Sequence, residues 1–272
     1  MTLLKLSIID KDKNVRAERE REKETYLEYL FAYEEGDKII LTLEEKNQYI
    51  VVQLDEALAP TFLYVRGNKW VYEVPIDKKS REAYSPKVFS GNSHYLKARL
   101  ATEEEINQYR NLALNPHDQK NESGVYPHAK ANVETRNDAT FFARNAIDGV
   151  IANESHGSYP YQSWGINQQK NAEITVDFGR TVEIDQLVIV LRADFPHDSY
   201  WTQVTAYFSD GSEHVLTLEK VLEPQDFHFQ KRKVKWVKLG NLIKADDESP
   251  FPALTQLEVY GINVGESKNK SE

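Results

Sequence analysis

Residues 172–191 read AEITVDFGRTVEIDQLVIVL, and this pattern decides the fold class. Apolar and polar residues alternate from Ile174 to Phe178, a glycine interrupts at 179, and apolar residues return from Ile184 to Leu191. A period of two in β-branched residues marks strands with one face in a core. The stretch predicts two strands, 172–179 and 184–191, with a break between them.

Outward from here the same rhythm recurs. Downstream lie QVTAYFSDG (203–211), HVLTLEK (214–220), FHFQ (227–230), VKWVKL (234–239) and LTQLEVYG (254–261). Upstream lie LLKLSII (3–9), YLEYLFAY (26–33), KIILTL (38–43) and QYIVVQL (48–54). Short strands at near-regular spacing with turn residues between them predict antiparallel sandwiches. Neither a βαβ rhythm nor a phosphate-binding glycine motif competes. The charged run NVRAEREREKE (14–24) has a helical charge pattern but no apolar stripe, so helix and solvated hairpin tip both stand. A helix is predicted over 101–114, opened by Thr102 and Glu105 in capping-box spacing. The polar stretch NPHDQKNESG (115–124) then reads as a linker. Two all-β domains are expected, 1–120 and 121–264, followed by a disordered tail over 265–272.

Composition narrows the function. The net charge of −9 disfavours nucleic acid as a partner, because such proteins present a basic patch. The basic cluster KRKVK (231–235) alternates like a strand face. With no cysteine, disulfides, thiolate metal sites and cysteine nucleophiles are excluded. There is no apolar run long enough to span a membrane, and MTLLKLSIID is too short to read as a signal peptide. A cytoplasmic location is expected, or an extracellular one if a leader was removed.

The second half carries a motif order. ARNAIDG (143–149), QSWG (162–165), AEITVDFGRTVEIDQLVI (172–189), VTAYFSDGS (204–212) and LEVYG (257–261) together resemble the discoidin, or factor V/VIII type C, group. That group is galactose-binding-like and includes the family 32 carbohydrate-binding modules. Over about 125–262 the resemblance implies a β-sandwich of jelly-roll type with ligand-binding loops at one end. The first half is read as a second, diverged sandwich of similar type. The resemblance also implies a structural calcium held by Asp148 of AIDG and Glu258 of LEVYG, with Asn153 and backbone carbonyls completing an oxygen shell. Alternatively, Asp148 only caps its own turn.

Sugar recognition needs aromatic faces and planar hydrogen-bonding groups. Two loops concentrate them, NESHGSYPYQSWG (153–165) and RADFPHDSYW (192–201). The candidate ligand residues are His156, Tyr159, Trp164, Arg192, Asp194, His197, Asp198 and Trp201. Arg192 and Asp194 would be bidentate hydroxyl partners, His156 and His197 directional hydrogen-bonders, and Trp201 or Tyr159 the stacking platform. Trp164 also reads as a core tryptophan, and Arg192 as half of a staple to Asp194 or Asp198. Adjacent His197, Asp198 and Ser199 cannot form a relay, and the histidines lack zinc spacing. In the first half, FSGNSHYLKAR (89–99) offers His94 and Arg99 beside glycine and asparagine. The expectation is a non-catalytic carbohydrate-binding protein. A protein-interaction module using the same loops is the alternative, and a small glycoside-active hydrolase the third reading.

Overall fold

Alternation of the predicted kind governs the strands. Leu4, Leu6 and Ile8 of Leu3–Ile9 point into a core, as do Ile39, Leu41 and Leu43 of Lys38–Leu43. The computed structural model describes residues 2–154, 159–192 and 198–264. The tail 265–272 and the candidates His156, Asp194 and His197 lie outside these. The molecule is all-β, and among the described residues neighbouring strands run antiparallel.

In the first half, one sheet runs in the order Val15–Glu22, Leu3–Ile9, Lys38–Leu43, Lys69–Glu73. A second runs Val125–Tyr126, Thr61–Val65, Gln48–Gln53, His94–Leu100, Glu24–Tyr29. Both feed one buried cluster that includes Leu6, Leu41, Ile50, Leu63 and Leu96. The charged run at 14–24 is neither helix nor hairpin tip but a strand, Val15–Glu22, at the edge of the first sheet. Arginine and glutamate there alternate at period two against Leu3–Ile9, and a charged edge discourages pairing with other chains.

The second half is organised on long strands. Its sheet order is Trp164–Gly165, Ala253–Asn263, Ile174–Leu191, Gln225–Lys244, Trp201–Phe208, Glu213–Thr217. Trp164, Val176, Phe178, Leu187, Trp201 and Leu257 share its core. The opening stretch is one strand of 18 residues rather than two. Its pairing jumps from Asp177↔Trp236 to Val182↔Val234, so a bulge absorbs the break. Gly179 makes that bend at φ +66°, where an added Cβ would lie 2.3 Å from the Tyr126 ring.

The junction departs from the sequence reading. The helix covers only Glu103–Asn107, with the Thr102–Glu105 capping box present. It stops because Arg110–Asn111 pairs with Ala253–Asn263. The stretch read as a linker is packed: Asn115, His117 and Asp118 are buried. The Leu54 N–H donates to His117 Nε2 at 3.3 Å, and Asp118 accepts from the Ala129 N–H and contacts His128 Nδ1, both at 2.8 Å. Polarity here serves hydrogen bonding between the halves rather than solvation.

Candidate functional site

Arg192 stands where Ile174–Leu191 ends and Ala253–Asn263 begins, its N–H donating to the Ala253 carbonyl at 3.1 Å. The residue is only 5% exposed. Its guanidinium carbon lies 4.0 Å from the centroid of the Tyr161 ring and 5.9 Å from that of Phe141. Contact of a planar cation with an aromatic face favours one orientation of the guanidinium. Arg192 lines a cavity of about 410 Å³ whose walls include Thr135, Asp138, Phe141, Tyr161, Asn167 and Phe251.

Three segments build these walls. Short 3-10 turns at Thr135–Asn137 and Ala139–Phe141 give one side, with Asp138 capping the second by accepting from the Thr140 N–H at 3.0 Å. The turn after Trp164–Gly165 gives another, tied on by the Asn167 N–H donating to Thr135 Oγ1 at 2.9 Å. Gly165 permits that approach, since an added Cβ would meet Thr135 Oγ1 at 2.7 Å. Phe251, 39% exposed, stands just before the last strand as an accessible apolar face.

Among the described residues, the predicted candidates do not converge as one group. Trp164 and Trp201 are fully buried neighbours, ring centroids 6.3 Å apart, and Trp164 Nε1 donates to the Val133 carbonyl at 2.9 Å. Neither offers a face to a ligand, because both fill the sandwich core. Tyr159 lines a different cavity, beside Asp55, Glu56 and His94. Asp198 pairs with Lys220 at 2.8 Å, and that hydrogen bond holds its carboxyl below the usual range. Ser199 is buried and donates to Asp247 at 3.1 Å. The side chains missed in the sequence are Tyr161, Phe141, Asn167 and Phe251. Tyr161 lay within a quoted loop; the others came from segments whose proximity only the folded sheet order creates.

The candidate calcium residues are engaged with nitrogen donors. Asp148 Oδ1 accepts from the Val150 N–H and from Gln256 Nε2, and Oδ2 from Gln162 Nε2, each at 2.8 Å. Burial raises the Asp148 carboxyl above its usual range, against the charge of Arg144 and these hydrogen bonds. Asn153 Nδ2 donates to the carbonyls of Leu191 and Leu222 at 2.7 and 2.9 Å. Glu258 accepts from the Tyr260 hydroxyl at 2.9 Å. The strand residue that reaches Asp148 is Gln256, two positions before Glu258. An amide NH₂ where a hard cation needs oxygen ligands does not fit calcium.

No family model matches the chain, and no curated protein does. The solved structures to which it is similar include discoidin-like carbohydrate-binding modules, matched over about half its length. One is chitosan-binding module 1 of a chitosanase/glucanase from Paenibacillus sp. IK-5, 21% identical, covering 57% of this chain and 100% of that one, TM-score 0.38. Another is the family 32 module of NanJ from C. perfringens in complex with galactose, at 19%, 48%, 91% and 0.37 respectively. A third is a His 62 mutant of the lectin binding domain of Lectinolysin complexed with Lewis b, at 14%, 58%, 99% and 0.42. Likeness this partial says nothing of ligand, which has to come from the chain's own residues.

Proposed function

We propose that the chain is a non-catalytic carbohydrate-binding protein whose ligand sits in the cavity over Arg192. The observation that carries this reading is the pinned guanidinium, held against Tyr161 in a cavity that also exposes Phe251. A fixed guanidinium edge matches vicinal hydroxyls, while an aromatic face packs on the C–H side of a sugar ring. Thr135, Asp138 and Asn167 add directional polar groups to the wall. The volume falls within the range of about 300–1,000 Å³ usual for small-molecule sites.

Chemistry finds little support. Asp198, a carboxylate on the 192–201 loop, is paired with Lys220 and ionised, so it has no proton to give a leaving group. Binding is tested by calorimetry with galactose, a chitosan oligomer and Lewis b, the ligands named for similar solved modules. Phe251→Ala, at a position 39% exposed, is expected to weaken binding by about 1–2 kcal/mol. Arg192→Lys keeps the charge and removes the planar fork, and binding should fall further. Absence of binding by the wild type to any neutral or acidic saccharide overturns the reading.

A further inference from the structure

A second cluster lies in the first half, remote in sequence from Arg192. One ligand atom each from Asp55, Glu56 and His94 lies within 4.8 Å of the others. Asp55 and His94 are buried, while Glu56 is exposed. Asp55 follows Gln48–Gln53, and its carboxylate accepts from the Ala57 N–H at 2.8 Å and the Phe89 N–H at 2.9 Å. These bonds orient the group and leave lone pairs on both oxygens.

His94 opens His94–Leu100, with Nε2 3.3 Å from the Gly91 carbonyl. A carbonyl accepts only, so the Nε2 proton belongs to that contact and Nδ1 carries the lone pair. Nδ1 then faces Asp55 Oδ2 at 3.9 Å. Two acceptors at that separation make no hydrogen bond. Two ligands of one tetrahedral ion, with bonds of about 2.0–2.2 Å, sit about 3.4 Å apart, so a small closure brings them to coordination distance. A histidine whose far nitrogen is fixed by a carbonyl is the usual arrangement of a metal-ligating imidazole.

Tyr33 gives independent support. It is 6% exposed, its ring centroid lies 4.6 Å from that of His94, and its buried hydroxyl has no hydrogen-bond partner. Burial first, then the charges of Asp55 and, more weakly, Glu56, hold that hydroxyl above its usual range. Beside the His94 ring, the buried hydroxyl lacks a partner of the kind a metal-bound water would supply. A cavity of about 450 Å³ opens onto the cluster, lined in part by Lys87, Ser90 and Tyr159.

We propose that Asp55, Glu56 and His94 form a binding site for a divalent first-row ion of the zinc type, with one position open to the cavity that Lys87, Ser90 and Tyr159 help to line. Two carboxylates and one imidazole suit such an ion, whereas calcium takes an all-oxygen shell. The ion would join the 55–58 turn to the strand that His94 opens.

The full chain, stripped with EDTA and dialysed, is titrated with Zn²⁺ by calorimetry and with Co²⁺ by visible absorption. Expected are one equivalent of bound Zn²⁺ and a cobalt ligand-field band that Zn²⁺ bleaches. Glu56→Gln, at an exposed position, should weaken Zn²⁺ binding at least about tenfold while the melting temperature in EDTA stays that of the wild type. His94→Gln should remove the cobalt band; if that variant fails to fold, Glu56→Gln decides alone. A wild type that binds no stoichiometric metal, or whose binding survives Glu56→Gln unchanged, overturns the proposal.

Discussion

Gln256 has two amide protons, yet four oxygens lie around its Nε2: the Asn145 carbonyl at 2.8 Å, Asp148 Oδ1 at 2.8 Å, the Thr255 carbonyl at 2.7 Å and the Val150 carbonyl at 3.3 Å. Its Oε1 accepts from the Gly149 N–H at 2.9 Å. One side chain thus organises the loop behind the Arg192 cavity. Gln256→Ala leaves Asp148 and these carbonyls short of donors, and urea denaturation should show a loss of about 2–3 kcal/mol. Added calcium should leave the melting temperature of the EDTA-stripped wild type unchanged, since the amide already occupies the cage. Gln256→Glu instead sets two carboxylates face to face, and that variant should melt lower in EDTA than in calcium. The sequence reading chose Glu258 for this role. A period of two puts 256 and 258 on one face, so the face was legible. The rung depends on register, Val190↔Gln256 against Val188↔Glu258, which distant pairing sets.

Elements were legible wherever burial has one side. LLKLSII, KIILTL and QYIVVQL each became strands close to their expected bounds. Where a strand passes through a bulge its residues change faces, and the alternation that identified 172–179 and 184–191 says nothing about whether they are continuous. Gly179 is the residue on which that continuity rests. Gly179→Ala introduces a side chain at φ +66° and against the Tyr126 ring, and is expected to cost at least about 2 kcal/mol in chemical denaturation. The charged run 14–24 misled because arginine and glutamate recur at spacings that suit a helix surface as well as a strand edge. The Arg192 cavity was half legible. Its arginine stood out at a strand end, but Phe141 and Phe251 come from segments more than a hundred residues apart in sequence, brought together only by sheet order.

At the scale of the whole molecule, the segment leading into the second half is held to the first by a polar group that responds to acid. Burial, with the charge of Arg144 adding to it, drives the His117 imidazole down to about 3 from 6.5. Its Nε2 must stay unprotonated to accept from the Leu54 N–H. The folded-state value lies below the unfolded one, so the contribution is complete above pH 6.5 and is lost as pH falls from there towards 3. The loss amounts to about 1.4 kcal/mol per pH unit in that window. His117→Gln keeps an acceptor and removes the titration, so its stability profile should be flatter than the wild type's between pH 6 and 4. The crossing between the halves is double. Val125–Tyr126 completes the first half's five-stranded sheet against Thr61–Val65, whereas Arg110–Asn111, made earlier, pairs with Ala253–Asn263. A ribosome making this chain therefore releases a first half one strand short until residue 126 emerges. Residues 110–111 wait for a partner, Ala253–Asn263, that is made only after most of the second half. Vectorial folding, in which an N-terminal unit closes before the next is made, is thus held back for the first half only until residue 126, whereas the second half gains its Arg110–Asn111 edge when Ala253–Asn263 is made.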